Sequence, residues 1–254
     1  THVDSSAASD VYKRQNKLHE DGLIYRGSRL VNWDPALQTS LSDLEVVNKE
    51  KNVKLTSIKY KIDGTDQFIT VATTRPETLL GDMAIAVHPD DKRYKEYIGK
   101  DVELPLCNRK IPIIADDYVD MDFGSGAVKI TPGHDFNDYE IGKRHGLSMD
   151  SKNNIIQGDE SSFEPISVLD KHAKICGCAP KNFHELNRFE ARKKILANLE
   201  SEDLIAGIEE YETSLPFGDR SDEILEPFLT DQWYVDTKKT VSYTHLTLPT
   251  SPHV

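Results

Sequence analysis

The chain has 254 residues, with 31 Lys and Arg against 43 Asp and Glu for a formal charge of -12, and 37% of it is hydrophobic. That length can bury a sizeable core, while the lack of any run of about 18 apolar residues argues against a membrane protein. The acidic balance argues against a polybasic grip on nucleic acid over the whole surface. Three cysteines, Cys107, Cys176 and Cys178, are too few for a disulfide framework, and residues 1–15 lack the apolar segment of a secretory signal, so a reducing, cytoplasmic setting is expected. Two local basic clusters, Lys143 to His145 and Arg188 with Arg192 to Lys194, read as solvated helix faces.

In chain order, residues 1–15 and 241–254 carry no period that continues into their neighbours and resemble translated adapter sequence, so both are expected to be foreign tails. Asn16 to Tyr25 reads as the end of a helix stopped by Gly22 or Gly27, and Leu30 to Pro35 as a short strand closed by a turn. Val53 to Ile62 and Phe68 to Thr74 flank Asp63-Gly-Thr-Asp66, a hairpin signal. Further strands are expected at Met83 to His88, Val102 to Leu106, Lys110 to Ala115 and Ala127 to Thr131. Short strands with interspersed Gly and Pro suggest a closed or nearly closed β-barrel. Helices are expected at Pro89 to Ile98, ended by Gly99, and at His134 to His145, opened by Asp135 and ended by Gly146. A third runs from about Arg188 to Glu200, with Asn187 and Glu190 spaced as a capping box. The class is α+β. A module over 45–207, flanked by arms at 16–44 and 208–240, looks like a domain inserted into another domain.

Three segments could carry chemistry. Thr73-Thr-Arg-Pro-Glu-Thr78 leaves a strand at Pro76, which cannot donate to a ladder, and so presents hydroxyls and the Arg75 guanidinium at a strand end. Strand propensity explains the threonines equally well. Phe123-Gly-Ser-Gly-Ala-Val-Lys-Ile-Thr-Pro132 sets two glycines before a strand, allowing a ligand or a backbone to come close, but lacks the phosphate-loop spacing; a bulge or turn is the plain alternative. His134-Asp-Phe-Asn-Asp-Tyr-Glu140 puts Asp135 and Asp138 in the first turn of a helix, where the dipole favours ionised carboxylates, so both are expected to be charged at neutral pH. Such a carboxylate could hold an ammonium group, although capping alone would also account for the pair. The spacing Cys176-Gly-Cys178 suits no metal site, and no G-x-S-x-G elbow or H-E-x-x-H occurs. Any hydrolysis here would use positioned water.

Taken in order, Gly22 to Gly27, Leu30 to Pro35, Ser40 to Val46, Thr73 to Pro89, Gly124 to Leu147 and Thr230 to Val235 resemble the valyl-tRNA synthetases, a class I family, over about 16–236. The resemblance implies a β-barrel editing domain with peripheral helices, flanked by partial segments of the class I catalytic domain. It implies hydrolysis of threonine wrongly esterified to valine tRNA. A hydrophobic pocket rejects an isostere that adds a hydroxyl by only about a hundredfold, a limit for which valine enzymes are the known case, so a second site must sense the hydroxyl. Carried over, catalytic roles fall on Asp138, Thr73 and Lys129, and substrate-binding roles on Arg75, Thr78, Phe123, Thr131 and Asp135. Asp138 would hold the α-amino group, Arg75 and Lys129 would face phosphate or terminal ribose, and Phe123 and Thr78 would wall the pocket. Gly133, where many valyl enzymes have alanine, bears on the pocket floor. The expected partners are the 3′ end of valine tRNA and the threonine it carries, on a monomer with neither metal nor cofactor. The full-length family uses ATP, but its HIGH-type and KMSKS-type motifs are not in this sequence. Alternatives left open are a fragment that binds a tRNA end or amino acid without turnover, and the editing domain of an isoleucyl or leucyl enzyme.

Overall fold

The computed structural model describes residues 5–236, so the tail expected at 241–254 and the first residues of the one at 1–15 lie outside the described residues. The chain divides into two compact units, one made of 1–29 with 230–254 and the other of 30–229.

In the first unit, α1 (Ser5–Glu20) begins earlier than the helix expected from residue 16, and Tyr12 on it is exposed. It stops where Leu23 N donates to Leu18 O at 2.9 Å and Gly22 takes φ +66°, a left-handed turn that costs glycine nothing. The strand β1 (Ile24–Asp34) leaves this turn, and the Arg29 guanidinium lies over the rings of Tyr25 and Tyr234, 4.4 Å from the second.

The second unit carries the core. Asp34 Oδ1 accepts from Ala36 N and Leu37 N and folds β1 back onto β2 (Thr39–Leu41), in register from Asn32 opposite Leu41 to Asp34 opposite Thr39. Seven strands then form a mixed sheet: β3 (Val46–Ile62), β4 (Phe68–Thr73), β5 (Ala84–Val87), β6 (Asp101–Glu103), β7 (Lys110–Ala115), β8 (Ala127–Ile130) and, after the two-stranded pair β9 (Ser148–Met149) and β10 (Ile155–Ile156), β11 (Ile205–Gly218). Their order is β11-β3-β6-β7-β5-β8, with β4 paired to β3. The strand β12 (Glu226–Val235) follows β11.

Period-two burial of Thr56, Ile58, Tyr60 and Ile62 turns one face of β3 inward, whereas all of β5, flanked by β7 and β8, is buried. The expected hairpin forms between β3 and β4, with Gly64 at φ +72° and Thr65 N donating to Ile62 O at 3.1 Å. The barrel does not close among the described residues. No ladder joins β4 to β8, because each strand stops within a few residues at a proline, Pro76 and Pro132, and turns into a loop instead of extending its edge.

Two of the expected helices are present. The helix α2 (Phe136–Arg144) is capped by Asp135, which accepts from Asn137 N and Asp138 N, and ends at Gly146 with φ +56°. The helix α3 (Arg188–Ser201) is capped by Asn187 and buries Ala191, Ile195 and Leu199; Phe189 is exposed, and Asn187 accepts from Phe189 N without a return bond from Glu190 among the described contacts. The third, over Pro89 to Ile98, is a chain of tight turns instead. Asp91, Tyr94 and Tyr97 donate through their backbone N–H three residues back, and the Asp91 carboxylate accepts from Arg93 N and its guanidinium. A side chain that captures backbone donors in this way competes with the helical ladder. The boundaries expected at 45 and 207 fall inside the second unit.

Candidate functional site

The chain leaves β4 at Thr73, whose Oγ1 accepts from Arg75 N at 3.0 Å, and Pro76 opens a buried 3-10 turn over Pro76–Gly81. Thr78 Oγ1 donates to Arg75 O at 3.0 Å, so the loop fixes itself through its own hydroxyls. The Arg75 guanidinium donates to His134 O at 2.9 Å and to Glu226, and its Nε lies 3.6 Å from Glu77. Burial works against this cation, but Glu226 and Glu77 hold its pKa above the usual value.

Across the cavity, β8 delivers Lys129, and Thr131 follows at its end. Lys129 Nζ donates to Asp82 Oδ1 at 3.0 Å, to Thr78 Oγ1 at 3.2 Å and to Thr131 Oγ1, which accounts for all three ammonium protons. Asp82 is fully buried and also accepts from Thr131 Oγ1 at 2.6 Å and Tyr60 OH at 2.7 Å. Thr131 and Thr78 thus spend their hydroxyl protons inside the protein and can offer only oxygen lone pairs to a ligand.

Pro132 and Gly133 carry the chain to the start of α2. Asp138 is 8% exposed, and its Oδ2 accepts from Thr131 N at 2.8 Å. Burial, aided by the charge of Asp135, pushes its pKa up to about 7, so at neutral pH Asp138 is only about half ionised, where the sequence led to a fully charged group. Asp135 is exposed and serves as the helix cap. His134 is buried, accepts from Val168 N through Nε2 at 2.9 Å, and is held neutral by burial, with its pKa down to about 3.

These elements enclose a cavity of about 270 Å³. Thr73, Arg75, Thr78, Phe123, Lys129, Thr131, Asp135 and Asp138, drawn from three separated segments, all line it, together with Tyr118, Tyr211 and Leu55. Phe123, 59% exposed, and Tyr118 supply aromatic surface at the wall. Gly126, at φ +73°, leaves no room for a Cβ beside Arg93 and the Met121 carbonyl and so serves a close approach within the protein, while Gly124, at φ +56°, has nothing within 4 Å of where a Cβ would sit. Sequence reasoning missed Asp82, Tyr60, His134 and Glu226. A lone acid in the apolar run Leu79 to Val87 is a signal for Asp82; Glu226 reaches Arg75 over a separation of 151 residues and left none.

The three cysteines are free, and burial raises Cys107 to about 12, which disfavours its thiolate. No cluster of three or more His, Cys, Asp or Glu suited to a metal occurs among the described residues.

The family model for tRNA synthetases class I (I, L, M and V) matches residues 2–247. The chain belongs to this family. Among its relatives, the valine–tRNA ligase of Legionella pneumophila (strain Lens) is 51% identical over 236 residues, which is 93% of this chain and 24% of that protein. The valine–tRNA ligase of Francisella tularensis subsp. tularensis (strain SCHU S4 / Schu 4) is 50% identical over 233 residues, 92% of this chain and 24% of that protein. This class I chain therefore spans about a quarter of the length of the curated relatives it matches. No helix among its described residues is long and apolar enough to cross a membrane.

Proposed function

We propose that this class I synthetase chain is the editing part of a valine enzyme and hydrolyses threonine from mischarged valine tRNA, with cytoplasmic valine tRNA and the threonine it carries as partners. The observation that carries the reading is the convergence of all eight candidate residues on one cavity with a buried acid, Asp138, on its wall. The open mixed sheet stands where the resemblance implies a barrel, and the cavity lies at its β4 and β8 edges.

In this reading the substrate's ammonium group pairs with Asp138 and draws it into the ionised form. The substrate hydroxyl donates to the acceptor oxygens of Thr131 and Thr78, whose own protons are committed to Asp82 and to Arg75 O. Valine offers a methyl there and strands those acceptors, at about 1 to 3 kcal/mol for each unsatisfied group. Lys129 acts as the inner brace of both threonines, with its protons already placed, and so leaves contact with phosphate or ribose to Arg75. Water held between Asp138 and the loop of Thr73 attacks the ester carbonyl; the acyl–oxygen bond to the ribose breaks, one water proton ends on the departing ribose oxygen and threonine leaves as the free acid, with proximity and oriented donors supplying the rate. Metal and cofactor take no part in this scheme.

The test is deacylation of threonyl-tRNA(Val) by the chain, with Asp138→Ala alongside. Ester loss that depends on Asp138 is expected. Hydrolysis at the spontaneous rate, with the ester still bound, would favour a non-catalytic tRNA-end module, and preference for isoleucine or leucine tRNA esters would move the chain to a sister family.

A further inference from the structure

Behind the cavity wall lies a second polar cluster, made of Arg75, Glu77, Arg188, Arg192, Glu223 and Glu226. Glu77 is 1% exposed, and both its oxygens face Arg192, at 2.7 and 2.8 Å. Arg188, the first residue of α3, is 2% exposed and donates to Glu226 Oε1 and Glu223 Oε1, each at 2.6 Å. Glu226, at the start of β12 and 4% exposed, spends Oε1 on Arg188 and Oε2 on Arg75. It thus hydrogen-bonds two guanidiniums, one structural and one on the cavity, whereas Glu77 bonds Arg192 and reaches Arg75 Nε only at 3.6 Å.

We infer that Glu226 is a positioning residue for the proposed deacylation: braced by Arg188, it fixes the Arg75 guanidinium at the cavity, where Arg75 meets the phosphate or ribose of the terminal nucleotide. The inference rests on the proposed function. Burying Arg188, Glu77 and Glu226 among partly exposed partners is a small gain in stability, since desolvation offsets most of the attraction. The same arrangement gains precision, because a planar multi-donor fork held on several sides loses little further freedom when a ligand docks. With Glu226 neutralised, Glu77 holds Arg75 less well, because both its oxygens hydrogen-bond Arg192 and its nearest approach to Arg75 is 3.6 Å. Arg75 then swings away from the orientation the ligand needs.

The experiment measures binding, so that it does not depend on turnover. The probe is adenosine 5′-phosphate bearing threonine in a non-hydrolysable amide link at the 3′ position, titrated by calorimetry into the full chain, Glu226→Gln, Arg75→Ala and the double variant. Glu226→Gln is expected to weaken Kd about tenfold or more where Arg75 is present and by less than about twofold in the Arg75→Ala background. Equal losses in both backgrounds, or no loss in either, overturn the positioning role while leaving the proposed function standing. No binding by the unsubstituted chain overturns both. Should Glu226→Gln fail to fold, Glu226→Asp, which keeps the charge for Arg188 but is shorter by one methylene, enters the same cycle: a loss confined to the Arg75 background supports the positioning role, and equal or absent losses overturn it.

Discussion

Lys129 and Asp82 form a buried ion pair, Nζ to Oδ1 at 3.0 Å, with the aspartate fully enclosed and the lysine side chain 11% exposed. A buried charge left without its partner is costly, whereas a pair replaced together is not. Lys129→Met and Asp82→Asn are each expected to lose about 3 kcal/mol of stability, and the double variant to recover most of that loss, since the amide introduced by Asp82→Asn can still bond Tyr60 and Thr131. Urea denaturation of the four proteins decides it. Strictly additive losses would mean that the two charges do not depend on each other.

Asp138 should trade stability for function. Its folded pKa is raised from 3.8 to about 7. Below about pH 4 the group is protonated in both folded and unfolded chains and costs nothing; between about 4 and 7 the unfolded chain ionises first, so folding weakens as pH rises, and above about 7 the penalty is complete. Asp138→Asn keeps an acceptor for Thr131 N and removes the penalty. That variant should match the parent near pH 4 and exceed it by about 1 to 3 kcal/mol at pH 8, while losing deacylation. In the parent, kcat/KM for the threonyl ester should rise through about pH 7 as the free carboxyl ionises. A variant no more stable than the parent at pH 8 would mean that Asp138 carries no burial penalty.

Asp135 and Asp138 also mark how far the sequence could be read. The capping of α2 by Asp135 is local: it needs only the aspartate and the backbone two and three residues on, so spacing reveals it. The strand β7 is legible for the same reason, its branched apolar residues being bounded by turn formers. The charge state of Asp138 is not local, because beside Asp135 it depends on burial and on Lys129, Thr131 and Asp82 from other segments. The failure at Pro89 to Ile98 has another origin, since Asp91 side-chain capture of Arg93 N outcompetes the hydrogen bonds of the helix expected to end at Gly99. The resemblance to synthetases identified the eight cavity residues, but not that Lys129 is saturated, which only the positions of Asp82, Thr78 and Thr131 together reveal.

Asp116 titrates in the opposite sense. Burial alone would raise it, but Arg144, through Nε at 2.8 Å and Nη2 at 2.7 Å, Tyr118 N and His145 bring it down to about 2. Its contribution is present above the unfolded value near 3.8 and is lost as pH falls through about 2. Arg144 is 48% exposed, so solvent screens the pair, and Asp116→Asn is expected to cost about 1 kcal/mol at pH 7. The gap between variant and parent should shrink below about pH 3 in acid-denaturation curves. Because Asp116 also orders the turn that carries Tyr118 to the cavity wall, a constant gap down to pH 2 would assign its role to that turn instead of to charge.

Gly133 faces away from the cavity. A Cβ there would run into the Ile166 carbonyl oxygen, lie 2.8 Å from the Ile166 carbonyl carbon and 3.2 Å from Ser167 Cα, all backbone atoms that cannot rotate aside. The expectation that this position shapes the pocket floor therefore gives way to a packing constraint against the 166–167 segment, and Gly133 is not among the residues lining the cavity. Gly133→Ala is expected to destabilise the chain by about 1 to 3 kcal/mol, the usual range for forcing extra volume into a packed interior. A second change that sets the 166–167 segment farther back should restore the loss. Thermal unfolding measures the first effect, and threonyl-ester hydrolysis below the transition should stay within about twofold of the parent. A variant with unchanged thermal stability but altered hydrolysis would return Gly133 to the pocket floor.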